Sequence, residues 1–321
     1  MMRFNLRYLP MVSAAAGVLA GLDIKHRAIA VDHLTIIDVD PDLWDMVFLL
    51  SAETTFKIRD HMERIGDKLI VIATSREPGL NRWRNIFFPH WLFCITMPQS
   101  KGIHAQLNNA KNRYDALLGR VKDPRTRLLQ ELDKMDLLQH GEISYAHGHF
   151  YGPKNLEHDA DPYLRGNWEH EENEIQEIYG NDLNYYLVRD STLKMNNGVF
   201  SSCLIPRKIY AKTDFSLVAE TDNIGDHVFI TEKTWKPMLF NRQFVMYATP
   251  AHEDFLESIG CSIGYKTMGD PVLAAEAVKM MCEDGNMISQ DKQNPTINRR
   301  IADPQRWYRS LYKWLDMTVR T

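Results

Sequence analysis

The chain has 321 residues and a mass of 37.3 kDa, which leaves room for one large domain or two of ordinary size. With 44% hydrophobic and 25% charged residues the composition is globular, and it excludes a disordered chain, a collagen-like repeat and a small disulfide scaffold. Lys and Arg number 38 against 42 Asp and Glu, a formal charge of −4, so no global positive field favours nucleic acid or an acidic membrane and any anion site has to be local.

The cysteines, Cys94, Cys203, Cys261 and Cys282, lie far apart and form no CxxC pair. That argues against a zinc knuckle or a disulfide framework and for a reducing cytoplasm. Near the N-terminus, residues 11–22 (MVSAAAGVLAGL) form an apolar run shorter than the ~20 residues that span a bilayer. Arg3 and Arg7 precede it but no clear cleavage site follows, so it reads as a buried helix rather than a signal segment.

Residues 45–51 (DMVFLLS) read as a buried strand, 55–65 as a helix and 68–74 (KLIVIAT) as the next strand, together one βαβ unit. Over 125–139, Leu128, Leu132 and Met135 recur at helical spacing, with Asp123 as N-cap, Pro124 at the first helical position and Gly141 just past the end. The stretch 151–182 turns polar and acidic and reads as a connection between two lobes, 1–150 and 151–321. A second α/β pattern follows: strand 215–221 (FSLVAET), a helix from about Thr231, strand 243–248 (QFVMYA), helix 251–259 closed by Gly260, and a short strand near Tyr265. Pro237 predicts a kink or an early end for the second of these. Asp270 with Pro271 opens one further helix and Asp303 with Pro304 another, whose Trp307, Leu311, Trp314 and Leu315 share a face suited to docking on a core.

Two places can carry chemistry. Lys122, Arg125 and Arg127 crowd a helix start, where cations oppose the macrodipole by about 0.3 to 1 kcal/mol each. They form either a phosphate site or a solvated turn paired with Glu131 or Asp133. Glu220 ends a strand and Thr231-Glu232-Lys233 opens the next helix, the position at which open α/β sheets bind nucleotides. There Glu232 suits sugar hydroxyls and Lys233 and Lys236 suit phosphate, although an ordinary capped helix would look the same. His147 and His149 have no third ligand at nearby spacing, so no metal site is expected.

The string from Ser216 to Thr267 (SLVAETDNIGDHVFITEKTWKPMLFNRQFVMYATPAHEDFLESIGCSIGYKT) resembles the donor-binding segment of the α-1,3-fucosyltransferase-like glycosyltransferases, especially their uncharacterised phage and microbial relatives. Residues 114–141 resemble those relatives as well, and the two stretches cover about a third of the chain. The resemblance implies two Rossmann-like lobes facing across a cleft, the GT-B arrangement, with a nucleotide diphosphate sugar as donor and no cofactor or metal. Carried over by position, Glu220, Glu232 and Lys233 fall on the donor site and Lys122 with Arg125 on the phosphate-neutralising block; Thr231, as the helix N-cap, and Lys236 join the donor-site candidates from the reading of the residues alone. Inverting transfer also needs a base, for which Glu53 and Glu77, each following a strand, are the candidates. The acceptor would be a glycan, a lipid-linked saccharide or a hydroxymethylated base in DNA; the alternative is a noncatalytic nucleotide-sugar-binding or structural protein with the same fold. Cys261 and Arg242 depart from the family pattern, at positions where an aromatic and a proline are common.

Overall fold

The computed structural model describes residues 2–7, 9–96, 114–120, 122–146, 207–220, 225–283 and 293–320. The expected connection at 151–182, His147, His149 and Cys203 lie outside them. Contacts divide the chain into two compact units that do not follow chain order. The first comprises Met1–Cys94, Ile224–Thr231 and Asp303–Thr321, the second Ile95–Asn223 and Glu232–Ala302.

In the first unit, β1 (Met2–Asn5), β2 (Ala28–Asp32), β3 (Met46–Ser51), β4 (Leu69–Ala73) and β6 (Arg84–Phe87) form a parallel sheet in that order. β2, β3 and β4 are buried throughout, as continuous apolar runs covered on both faces should be. Val47 and Leu49 pack with Met62 and Ile65 of α2 (Arg59–Ile65), closing the expected βαβ unit. α1 (Leu9–Ala20), the anticipated buried helix, packs on β3 and on α10 (Pro304–Arg320), whose Leu311 and Leu315 are fully buried. The terminal helix therefore docks as its apolar face predicted, with Trp307 edge-on to Phe87 at 5.6 Å. A short antiparallel pair, β5 (Ser75–Arg76) with β10 (Val228–Phe229), completes this unit.

In the second unit a parallel sheet runs in the order β11 (Phe244–Tyr247), β9 (Phe215–Ala219), β7 (Tyr114–Arg120), β8 (Gly141–Ala146). One face of it packs on α4 (Asp123–Lys134) and α8 (Pro271–Glu283), through Leu128, Leu129, Leu132, Ala274 and Val278. α6 (Glu232–Leu239) contacts β9 and is buried along most of its length. It ends two residues beyond Pro237, which cannot donate to the preceding turn. The boundary expected at 150/151 gives β7, α4 and β8 to the first lobe; the pairing of β7 with β9 places them in the second unit instead.

Local readings are corrected in three places. The N-cap of α4 is Lys122, not Asp123, and the helix stops at Lys134, where Asp136 takes the left-handed conformation (φ 56°) that the sequence suggested Gly141 would supply. Gly141 opens β8, and its lack of a side chain is required because an added Cβ would stand 2.6 Å from the Tyr114 ring. No strand forms near Tyr265. That segment is fixed by the buried Glu253 of α7 (Pro250–Ser258), whose carboxylate accepts from Thr267 N (2.7 Å), Thr267 Oγ1 (3.1 Å) and Met268 N (3.2 Å). Glu253 satisfies the backbone there in place of a sheet neighbour.

Candidate functional site

The order β11-β9-β7-β8 contains a reversal. From β7 the chain proceeds through α4 to β8 on one side, and later returns to build β9 and β11 on the other. Open α/β sheets bind ligands beyond the carboxyl ends of the two strands flanking such a switch point, here β7 and β9. α4 leaves the end of β7 and Glu220 follows the end of β9, so the sequence-derived candidates Lys122, Arg125 and Glu220 all belong to this edge.

The two strands are in register at their amino ends, Tyr114 with Phe215 and Asp115 with Ser216. Ser216 N donates to Gln243 O and Glu220 N to Tyr247 O, so both residues bond toward β11. With the pleat's period of two, the Ala219 carbonyl points the other way, toward β7. Its donor is the guanidinium of Arg125, at 3.4 Å. Arg125 is accordingly 3% exposed, so its side chain is not part of a solvated turn; Arg127 is the exposed one and Lys122 is half-buried.

Glu220 is likewise buried, and its Oε1 accepts from Thr234 Oγ1 at 2.6 Å. The carboxylate that the resemblance placed on the donor site thus ties the end of β9 to α6. Thr231, also buried, directly precedes that helix. Glu232 accepts from Lys233 Nζ at 2.6 Å. Burial pushes its carboxyl up, but the ammoniums of Lys233 and Lys236 outweigh that and hold it below the usual value. Lys233 in the first turn and Lys236 in the last both face this carboxylate, while the Glu220 carboxylate lies against Thr234 of the same helix, so two ammoniums stand against two carboxylates at this helix start.

Arg242, the departure from the family pattern, sits at the opposite edge of the same sheet. It is buried, pairs with Asp115 at 2.9 Å, donates to Tyr210 O, Thr213 O and Ser216 Oγ, and lies 4.3 Å over the Tyr210 ring. It bolts the amino ends of β7, β9 and β11 together, a role unrelated to the ligand edge. Sequence reasoning missed it because its partner Asp115 is 127 positions away.

In the first unit the structure separates the two candidate bases. Glu77 is buried, and its oxygens accept from Thr55 N (2.6 Å), Thr55 Oγ1 (2.7 Å), Ser75 Oγ (2.7 Å) and Arg59 (3.2 Å), with His227 Nε2 at 3.8 Å. It fastens the turn after β3 to the turn after β4. Glu53 is half-buried in the turn after β3, where its backbone carbonyl accepts from Ser51 Oγ at 2.8 Å. Glu77 and Glu53 are linked through Thr55, two positions beyond Glu53. His227, which no sequence signal marked, lies between Phe56 and Phe229, at 4.8 and 6.3 Å.

No protein-family model and no curated protein matches the chain. Among solved structures it is similar to the DNA-modifying enzyme β-glucosyltransferase, determined in the presence and absence of its substrate uridine diphosphoglucose. That similarity is 11% identity over 99% of this chain and 98% of the other, at a TM-score of 0.44. A likeness of this degree says nothing about activity. Among the described residues, no helix is long and apolar enough to cross a membrane.

Proposed function

We propose that the chain is an inverting glycosyltransferase of GT-B type that moves a sugar from a nucleotide diphosphate donor to an acceptor hydroxyl, on a glycan or on a hydroxymethylated base of DNA, without a metal. The observation that carries this reading is the switch point between β7 and β9, with Arg125 on one flank and, on the other, Glu232 and Lys233 at the start of α6 with Lys236 one turn further on. Such an edge takes a diphosphate, and the resemblance of the TEK segment to fucosyltransferase-like donor sites supports the same assignment.

In the proposed reaction the acceptor oxygen attacks C1 of the sugar as a base removes its proton, and the C1–O bond to the diphosphate breaks with its electron pair on the leaving oxygen. The cations of Lys233, Lys236 and Lys122 then stabilise the growing negative charge. Glu53 is assigned the base, because it follows β3, buried along its whole length, whereas the Glu77 oxygens accept from four donors that fasten two turns. The loss of Glu77 as a candidate also favours the competing reading, a nucleotide-sugar-binding protein without turnover.

A thermal-shift series with GDP, UDP and their sugars, with and without EDTA, tests the reading. At a hundredfold excess over Kd the bound form gains about 2.7 kcal/mol. A shift unchanged by EDTA is expected; no shift, or a strict need for Mg²⁺ or Mn²⁺, counts against it. Release of nucleotide from the donor, lost in Glu53→Gln with affinity retained, separates the enzyme from the binding protein.

A further inference from the structure

The outer face of α10 carries three exposed cations against one half-buried carboxylate, Asp316, which follows them on the same face. Arg306, Arg309 and Lys313 are exposed and recur at i, i+3 and i+7, which lines them along one face at axial steps of about 4.5 and 6 Å. Arg309 is braced along the helix by donation to the Gln305 carbonyl at 3.2 Å. Exposed Arg84 on β6 reaches the end of the same helix, donating to Thr318 O at 3.3 Å. Tyr308 and Tyr312, one turn apart, remain 38% and 46% exposed beside the cations.

Residues 1–94 balance eleven Lys and Arg against eleven Asp and Glu, so the positive surplus arrives with this helix. The inner face is spent on the core, with Leu311 and Leu315 fully buried and α10 packed on α1. No apolar stripe is left for insertion into a bilayer. A line of exposed Arg and Lys flanked by tyrosines offers bidentate and point-charge partners for phosphates together with phenolic hydroxyls, the groups that make most contacts to nucleic-acid backbones.

We infer that the outer face of α10 is a docking surface for the sugar–phosphate backbone of a nucleic acid. This rests on the glycosyltransferase reading in one respect: it makes nucleic acid, rather than a glycan, the acceptor class.

The test is fluorescence polarisation of the full chain with a labelled 30-base-pair DNA duplex and with the corresponding single strand, at salt from 50 to 200 mM, with heparin as a non-nucleic polyanion control. Three neutralised phosphates give a log–log salt slope near −3, a loss of about 40-fold across that range. In the variant Arg306→Gln/Arg309→Gln/Lys313→Gln, affinity at 100 mM salt should fall at least 10-fold and the slope should flatten toward zero. Its circular dichroism and its nucleoside-diphosphate thermal shift should match the parent. Tighter binding to duplex or to single strand identifies the acceptor's form, and either supports the inference. It is overturned if the parent binds neither, if the triple variant keeps the parental slope, or if heparin binds as well as DNA. Duplex binding without a nucleotide shift would remove the donor reading and leave this surface standing, whereas the reverse result would remove only the surface.

Discussion

The Arg125 guanidinium donates to the Ala219 carbonyl across the divide between β7 and β9. One side chain thereby holds the start of α4 to the end of a strand 94 positions later in the chain. Because Arg125 is buried, Arg125→Ala leaves a buried carbonyl without that donor. The expected loss is about 1–3 kcal/mol of stability, together with weaker diphosphate binding. Arg127→Ala, on the exposed side, should stay within about 0.5 kcal/mol. Urea denaturation of both variants decides, and equal loss in the two would show that the Ala219 contact contributes nothing.

Lys233 and Glu220 should separate in calorimetry. Lys233→Ala removes one of the two ammoniums facing Glu232 and should weaken diphosphate and nucleotide sugar alike, by about tenfold, the scale of one charge-assisted hydrogen bond. Glu220→Gln keeps an oxygen for Thr234 and should leave stability nearly unchanged, whereas Glu220→Ala removes the acceptor of the Thr234 hydroxyl and should cost about 1–3 kcal/mol. Parental affinity in Lys233→Ala would place the phosphate elsewhere.

Glu77 and Glu53 make opposite predictions. Glu77→Ala strands Thr55, Ser75 and Arg59 and should destabilise the first unit by about 3 kcal/mol or more, the usual scale for removing one partner of a buried ionic network. Glu53→Gln should leave the melting temperature near that of the parent and abolish transfer. A Glu53→Gln variant that turns over normally would remove this residue as the base.

Acid should weaken the fold through His90. Its ring is fully buried, with Nε2 3.1 Å from the Ile72 carbonyl, and burial pushes its pKa down from the ordinary 6.5 to about 4. Between those values the unfolded chain binds a proton that the folded chain refuses. Stability is therefore fully present above about pH 6.5 and declines as pH falls toward 4, by up to about 3 kcal/mol. Denaturation midpoints at pH 7, 5.5 and 4.5 for the parent and for His90→Gln measure it; parallel profiles would assign the acid sensitivity to other groups.

Much of the fold was legible because its strands are buried on both faces and so appear as uninterrupted apolar runs, such as MVFLLS in β3 and LIVIA in β4. The positions of Glu220 and the TEK turn were legible too, since a strand end followed by a helix start needs no distant information. What those side chains do was not. Arg125 looked exposed because cations in a first helical turn ordinarily are, and its partner is a backbone carbonyl whose orientation depends on the pairing of β9 with β11. Glu77 and Glu53 carry the same chemistry one strand apart, and only the hydroxyls of Thr55 and Ser75, brought together by folding, tell them apart.

The first unit is assembled from three separated stretches of chain, which has a consequence for biosynthesis. The ribosome releases β1 to β6 early, but the apolar side of α1 has no partner helix until residues 304–320 emerge. At about 5–20 residues per second that delay is on the order of tens of seconds, during which the exposed apolar face is open to chaperones and to aggregation. A fragment ending near Cys94 would remain in that condition permanently, so the first unit should be recoverable in soluble form from the whole chain, or from a fusion that supplies α10 in cis, and not by cutting the gene where its sheet ends.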